Sequence, residues 1–303
     1  MEKLCYQLAT CSAKPFRALL CAFKEIPLVT DFDPNLVPIR PAATVLLVTD
    51  APELKVLMMK RHANTVFAGG MWVFPGGAVD PEDAETPSFG GIELDYPGPI
   101  DDDHEDHHRA YYVAAIRECF EEAGILLTRS SQPSSSNRAL SKDQLQVARD
   151  RINAGELTFT AFLAANHLQA DLGEIQPVAR WITPKGSPKR FDARFFLATS
   201  PASQRSSHDA GELVDSAWLT PADIIDRAER EEMTIMTPTL RMIQNLCPFN
   251  SVSELRQGIK AHRTYDRVRV DPNTRDLLLP GESGYESAAD NIETGWVRLK
   301  PAS

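Results

Sequence analysis

Apolar positions recur along the chain at two different periods, and the changes between them mark out the elements. Residues 42–49 and 56–61 are short aliphatic runs that read as buried strands, with Asp50-Ala51-Pro52-Glu53 as the turn between them. Residues 71–74 form a third, shorter strand that runs into the sharp Pro75-Gly76-Gly77 loop. From about residue 106 to 123 the spacing becomes helical. Val113, Ile116, Phe120 and Ala123 form the apolar stripe, and Gly124 supplies the C-terminal stop. A linker at 129–136 leads to two further helices, near 141–153 and 158–172. Strands return at 180–183, 191–198 and 212–219, followed by helices at 221–231 and 238–246. Beyond Pro248 the pattern weakens to a short helix and an extended tail.

This mixed order, with no regular βαβ period, predicts an α/β protein with a mixed sheet sandwiched between helices rather than a Rossmann fold. No GxGxxG or Walker loop occurs. Trp181-Ile182-Thr183-Pro184 and Trp218-Leu219-Thr220-Pro221 echo each other, but two matches this short do not make a repeat architecture.

Charge sharpens the outline. The chain carries 42 acidic against 32 basic residues, a net charge of −10. Eleven of the acids lie between Asp80 and His108, where there is no Lys or Arg; elsewhere 31 acids face 32 bases. No basic stripe is present, which argues against a nucleic-acid partner. The Pro- and Gly-containing acidic stretch reads as a solvated surface loop. Its Asp101-Asp102-Asp103-His104-Glu105-Asp106-His107-His108 run also offers three histidines as metal ligands. No apolar run approaches the ~20 residues a membrane span needs.

The five cysteines, Cys5, Cys11, Cys21, Cys119 and Cys247, show no CxxC spacing and fit reduced thiols in a reducing, cytoplasmic setting. The apolar patch at 16–23 suggests a short amphipathic helix outside the main fold rather than a signal peptide. Glu2 and Glu25 weaken a mitochondrial reading. The chain ends Lys300-Pro301-Ala302-Ser303, not in a Ser-Lys-Leu peroxisomal tripeptide.

The chemistry concentrates in Arg117-Glu118-Cys119-Phe120-Glu121-Glu122-Ala123-Gly124-Ile125. On a helix, Glu118, Glu121 and Glu122 share a face, opposite the apolar stripe. Carboxylates this close repel one another unless a cation neutralises them, and an all-oxygen set suits Mg²⁺ or Mn²⁺. The glycine turn upstream lets backbone carbonyls approach such a cation. A solvated acidic helix face is the plainer alternative.

The pattern resembles the Nudix hydrolases, whose box is Gly, five residues, Glu, seven residues, then Arg-Glu-apolar-any-Glu-Glu-any-Gly-apolar. Arg117 to Ile125 match the second half in full, with Cys119 at its first apolar position. The first half begins at Gly77. Asp83 stands in place of the Glu, and the spacer of seven residues is here 33 residues long. The resemblance implies a Nudix α/β/α sandwich over residues 38–248, interrupted by an acidic insertion at 84–107 and a helical insertion at 130–175. An N-terminal segment (1–37) and a C-terminal extension (249–303) flank it.

It also implies roles. Glu118, Glu121, Glu122 and the Gly77 carbonyl would bind Mg²⁺ or Mn²⁺. Arg117 would orient the carboxylates by pairing with Asp83 or, given the long spacer, with Glu82, Glu105 or Asp106. Glu212 is the candidate for a later acid acting as ligand or base.

Within the family, the segments 67–77, 181–184, 190–196 and 278–281 are most similar to the coenzyme A and acyl-coenzyme A diphosphatase branch. Arg61 and Gly70 fit a coenzyme A signature of the wider family, while Val66 stands where that signature has Arg. Independently, Arg180, Lys185, Lys189, Arg190 and Arg194 gather five cations against the single acid Asp192. Lys189, Arg190, Arg194 and Arg61 are the candidates for binding a phosphorylated substrate; a solvated basic loop is the alternative.

The implied function is metal-assisted hydrolysis of a nucleoside diphosphate-linked substrate, coenzyme A or acyl-coenzyme A first. ADP-ribose, NADH or dinucleotides come next, and a non-catalytic Nudix-fold nucleotide-binding regulator is the competing class. The partner expected is a small nucleotide-type molecule, and the pattern leaves a homodimer open.

Overall fold

Strand β1 (Ile39–Thr49) is apolar on both sides through its second half, because it runs through the middle of a layered domain. In this computed structural model the described residues are 33, 36–50, 52–65, 68–89, 105–132, 140–183, 187–201, 204, 213–261, 265–271, 273, 277–288 and 295–299. β1 turns into β2 (Lys55–Arg61), followed by the short strands β3 (Trp72–Val73) and β4 (Gly76–Ala78) and the one-turn helix α1 (Pro81–Glu85). β5 (Ser88–Phe89) precedes the long helix α2 (Glu105–Ala123), and β6 (Thr128–Ser130) follows it. Next come α3 (Lys142–Asn153), α4 (Phe159–Ala165), β7 (Leu168–Asp171), β8 (Ile175–Ile182), β9 (Arg190–Thr199) and β10 (Leu213–Leu219). The chain continues through α5 (Pro221–Glu229), α6 (Thr237–Leu246) and α7 (Val252–Ala261), then β11 (Asp266–Arg267), β12 (Arg269–Val270), β13 (Leu277–Leu278) and β14 (Trp296–Val297).

The main sheet has the order β10-β2-β1-β9-β8-β14-β11, with β3 on β2 and β4 on β1. β1 and β9 are parallel and the other pairs of this sheet are antiparallel, so the sheet is mixed. One hydrophobic core packs α2, α3 and α4 against one face through Val45, Leu47, Phe120, Phe162 and Phe196. A second core packs α5, α6 and α7 against the other through Leu46, Met58, Ile224, Ile243 and Leu255. This is the α/β/α sandwich expected. The register sets Gly77, Ala43, Arg194 and Arg180 side by side in one row across β4, β1, β9 and β8.

Three expectations are corrected. The helix expected over 158–172 stops at Ala165: His167 takes φ 54°, and residues 168–171 become β7, paired with β5 and β6. The stretch read as linker from Arg129 opens inside β6, because β7 takes up its backbone groups. The tail past Pro248 is not merely extended, since β14 pairs with β8 and carries Val297 into the second core. The N-terminal patch at 16–23, Val66, Lys185 and Glu212 lie outside the described residues, as do the side chains of the 101–108 run.

Candidate functional site

The two halves of the box meet where β4 lies against the last turns of α2. Gly76 is demanded by the strand crossing: a Cβ there would sit 2.5 Å from the Ala43 carbonyl oxygen and 2.8 Å from the Thr44 Cα. Gly77 is demanded by α2: a Cβ there would sit 2.5 Å from a Glu118 carboxylate oxygen. The backbone of Gly77 therefore presses directly on that carboxylate. The Gly76 N–H donates to Glu122 Oε2 at 2.8 Å, which fixes a second carboxylate to the same strand.

Helix α1 exists to deliver one acid. Asp80 precedes it, Pro81 starts it, and the Asp80 N–H donates to Asp83 Oδ2 at 2.8 Å. Asp83 is almost fully buried and takes both arms of Arg117, Nε to Oδ1 at 2.9 Å and Nη2 to Oδ2 at 3.1 Å. Among the described residues, Asp83 is thus the acid in a two-armed pair with Arg117, and Asp80 adds a contact at 3.5 Å. Arg117 spends its other donor capacity on the site: Nη2 to the Ala78 carbonyl at 2.8 Å, and Nη1 to Glu118 Oε1 at 2.8 Å and to Glu121 Oε2 at 3.2 Å. One planar guanidinium spans both halves of the box.

Burial sets the electrostatics. The carboxylates do not line an open helix face. From Ala110 to Ala123 every residue of α2 except Glu121 is buried, and Glu121 is partly so. Burial works against the charge on Arg117, but Asp83, Glu118 and Glu121 outweigh it and hold the guanidinium protonated. Burial, with Glu121 and Asp83 behind it, pushes Glu118 up to about 7 against the pull of Arg117. Burial also raises Glu121. Cys119, between these acids, is a free buried thiol pushed up to about 12 by burial, which leaves it an inert core residue.

The residues present fit a hard divalent cation. The donors are all oxygen, they are buried enough to need neutralising, and the glycine backbone lies against Glu118 where a Cβ would intrude. The carboxylates are tied to Arg117, to the Gly76 N–H and, for Glu122, to Arg61 at 4.0 Å. Among the described residues, no three His, Cys, Asp or Glu side chains close onto one point. A cleft of about 210 Å³ opens beside the site. Asp80, Asp83, Arg117 and Glu121 line one side of it, and Ile152 and Phe159 from the helical insertion contribute to the other.

The candidate substrate cations divide. Arg61, near the end of β2, is brought to Glu122. Lys189 is exposed ahead of β9. Arg190 and Arg194 are 4 % and 1 % exposed, so they are not part of a solvated loop. Arg194 lies 3.7 Å over the Tyr111 ring and 4.0 Å from Asp192, which Arg180 grips with two bonds of 2.8 Å. Tyr111 donates to Asp192 at 3.2 Å, and burial raises its pKa. Motif reading passed over Tyr111, Asp80 and Arg149. Only Arg149 left a signal, a charge placed on the apolar stripe of α3.

Known proteins resemble the chain in sequence and in fold. The profile of the NUDT19 Nudix domain matches residues 99–246, a span that contains Arg117 to Ile125 but not Gly77 or Asp83. The acyl-coenzyme A diphosphatase NUDT19 of Homo sapiens is 27% identical over 284 residues, covering 80% of this chain and 75% of that protein. Its namesake in Gallus gallus is 26% identical over 315 residues, covering 85% and 82%. Among solved structures, a NUDIX hydrolase from Alicyclobacillus acidocaldarius superposes with a TM-score of 0.56 at 28% identity, over 72% of this chain and 95% of that one. Among the described residues no helix is long and apolar enough to cross a membrane.

Proposed function

Because the chain belongs to the Nudix hydrolases, on the branch of the NUDT19-type acyl-coenzyme A diphosphatases, we propose that it is a Mg²⁺- or Mn²⁺-dependent pyrophosphohydrolase acting on coenzyme A or an acyl-coenzyme A. The observation that carries this reading is the Arg117 bridge. It ties Asp83 of the first half-box to Glu118 and Glu121 of the second, across the 33-residue spacer that interrupts the box. A chain that had kept the fold and discarded the chemistry would have no reason to keep Glu118 and Glu122 buried, and Glu121 partly so, at a cost.

Glu118, Glu121, Glu122 and the Gly77 carbonyl would hold the metal ions. When bound, these neutralise the phosphate oxygens and lower the pKa of an attacking water. The chain's own groups do the rest. Arg117 keeps Glu118 and Glu121 in place. A carboxylate accepts the proton that the water gives up as its oxygen bonds to phosphorus and the bridging P–O bond breaks. Glu212 is the sequence candidate for a further acid. Arg61, beside Glu122, and the exposed Lys189 are the candidates to meet substrate phosphates, while Arg190 and Arg194 are buried. Cys119 and Cys247, neither of them in a disulfide, support a reducing compartment such as the cytoplasm.

The test is incubation with Mg²⁺ and a panel of coenzyme A, acyl-coenzyme A, ADP-ribose, NADH and dinucleotides, with products identified by mass. Release of 3′,5′-ADP together with phosphopantetheine or its acyl form is expected. AMP from the other substrates alone would move the assignment to ADP-ribose or dinucleotide hydrolysis. Binding without turnover would make the protein a regulator.

A further inference from the structure

The last turn of α2 presents an electrostatic problem. Its final carbonyls have no partners within the helix, its dipole places negative charge there, and the turn carries Glu121 and Glu122 with no Lys or Arg of its own. Gly124 (φ 70°) closes the helix and donates to the Phe120 carbonyl at 2.9 Å. The carbonyls of Glu121 and Glu122 are met from another element. Arg149 of α3 donates from Nε to the Glu121 oxygen at 2.7 Å and from Nη2 to the Glu122 oxygen at 2.5 Å. Asn153, one turn on, adds a weaker bond to Glu121 at 3.4 Å.

Arg149 is only 2 % exposed, and it occupies the stripe of α3 that Leu145, Ala148 and Ile152 turn towards the core. A guanidinium at such a position is costly to bury unless its donors are used on strong acceptors. Here the acceptors are the backbone oxygens of two residues whose side chains belong to the site, Glu121 bonded to Arg117 and Glu122 to the Gly76 N–H. A separate contact on the same helix comes from Phe162 of α4, stacked on Phe120 with ring centroids 5.4 Å apart.

We propose that Arg149 is a positioning residue for the metal site. By holding the Glu121 and Glu122 carbonyls it fixes the rotation of the last turn of α2, and so the aim of both carboxylates. The helical insertion is then a clamp on the catalytic helix. The inference deepens the metal-dependent reading above and rests on it. Displacing a group at a reacting centre by about 1 Å costs on the order of 100-fold in rate. Losing a group that orients a metal ligand typically costs about 10–100-fold in metal affinity.

The test is Mn²⁺ binding to the substrate-free full chain, followed by electron paramagnetic resonance, alongside kcat and KM at saturating metal. The proteins are wild type, Arg149→Met, Arg149→Lys and Phe162→Leu. The expected result is Mn²⁺ affinity lower by about 10-fold in Arg149→Met, with kcat falling more than KM changes. Arg149→Lys, which keeps the charge but not the fork, should lie between. Phe162→Leu loosens the packing of α4 on the same helix without touching the Glu121 or Glu122 carbonyl; it should melt earlier yet bind Mn²⁺ as wild type does. Wild-type Mn²⁺ affinity in a folded Arg149→Lys and in any folded Arg149→Met overturns the inference, as does an equal loss in Phe162→Leu. Failure of the wild type itself to bind Mn²⁺ overturns the metal reading along with it, and is thereby distinguished from failure of the clamp alone.

Discussion

Asp83 and Arg117 form a buried two-armed ion pair, at 2.9 and 3.1 Å, across 34 positions of chain that include the acidic insertion. The pair closes the box despite its interruption, so it should matter to both stability and rate. Removing one partner of a buried pair typically costs about 3 kcal/mol, because the other charge is left uncompensated. Asp83→Asn is expected to lower stability by about that amount in denaturant melts. It should also reduce kcat by about 10-fold or more, because Arg117 would no longer be held square to Glu118 and Glu121. Wild-type kcat in a folded Asp83→Asn protein would show that the pair is scaffolding only.

The two adjacent glycines allow a sharper separation. An added Cβ at Gly76 meets backbone, the Ala43 carbonyl and the Thr44 Cα, neither of which can move without parting β4 from β1. An added Cβ at Gly77 meets the end of a flexible side chain, the Glu118 carboxylate, which can swing aside. Gly76→Ala should therefore lower the melting temperature. Gly77→Ala should leave it nearly unchanged while cutting turnover by about 100-fold through the misplaced carboxylate. Thermal melts beside steady-state kinetics decide it, and an active Gly77→Ala enzyme would remove Glu118 from the chemistry.

How far the sequence revealed this arrangement depends on the range over which each contact acts. α2 was legible because its stripe, its charge cluster and its terminating glycine are all local signals. Its burial on nearly every side was not, since β4 and α1 close over the face that looks polar in isolation. The same holds for β7. Ala170 and Leu172 continue a helix-like spacing, and only pairing with β5 and β6 makes the segment a strand. Glu118, Glu121, Glu122 and Gly77 could be named from a motif, whereas Arg149 could not. Its partners are backbone oxygens, which leave no trace in residue identity, and its only mark was a charge on an apolar stripe.

Arg194 is a sequence candidate for substrate phosphate whose surroundings in the fold are those of a buried residue. It is 1 % exposed, stacked on Tyr111 and close to Asp192, in the sheet row that contains Gly77. Arg194→Met is accordingly expected to destabilise the fold by about 3 kcal/mol, as Asp192 and its partners lose a buried counter-charge. The KM for coenzyme A should shift little in whatever fraction remains folded. Lys189→Ala, at an exposed position, is expected to leave stability unchanged and to raise KM. A large KM effect from Arg194→Met at unchanged stability would restore the direct reading.

Glu118 makes stability depend on pH with a definite sign. Its ordinary value of 4.5 is raised in the fold, chiefly by burial, to about 7. The folded protein therefore holds a proton that the unfolded chain has released. The associated stability is complete below about pH 4.5 and is lost as pH rises to about 7. Metal-free protein should accordingly melt at progressively lower temperature between these values, and Glu118→Gln, which has no proton to lose, should flatten the slope. Mn²⁺ should reverse the trend, because binding requires the ionised carboxylates and so strengthens with pH over the same interval. Melting curves across this range, with and without Mn²⁺, measure both effects. Parallel curves for the wild type and Glu118→Gln would mean that the burial of Glu118 is not what governs the proton affinity of the site.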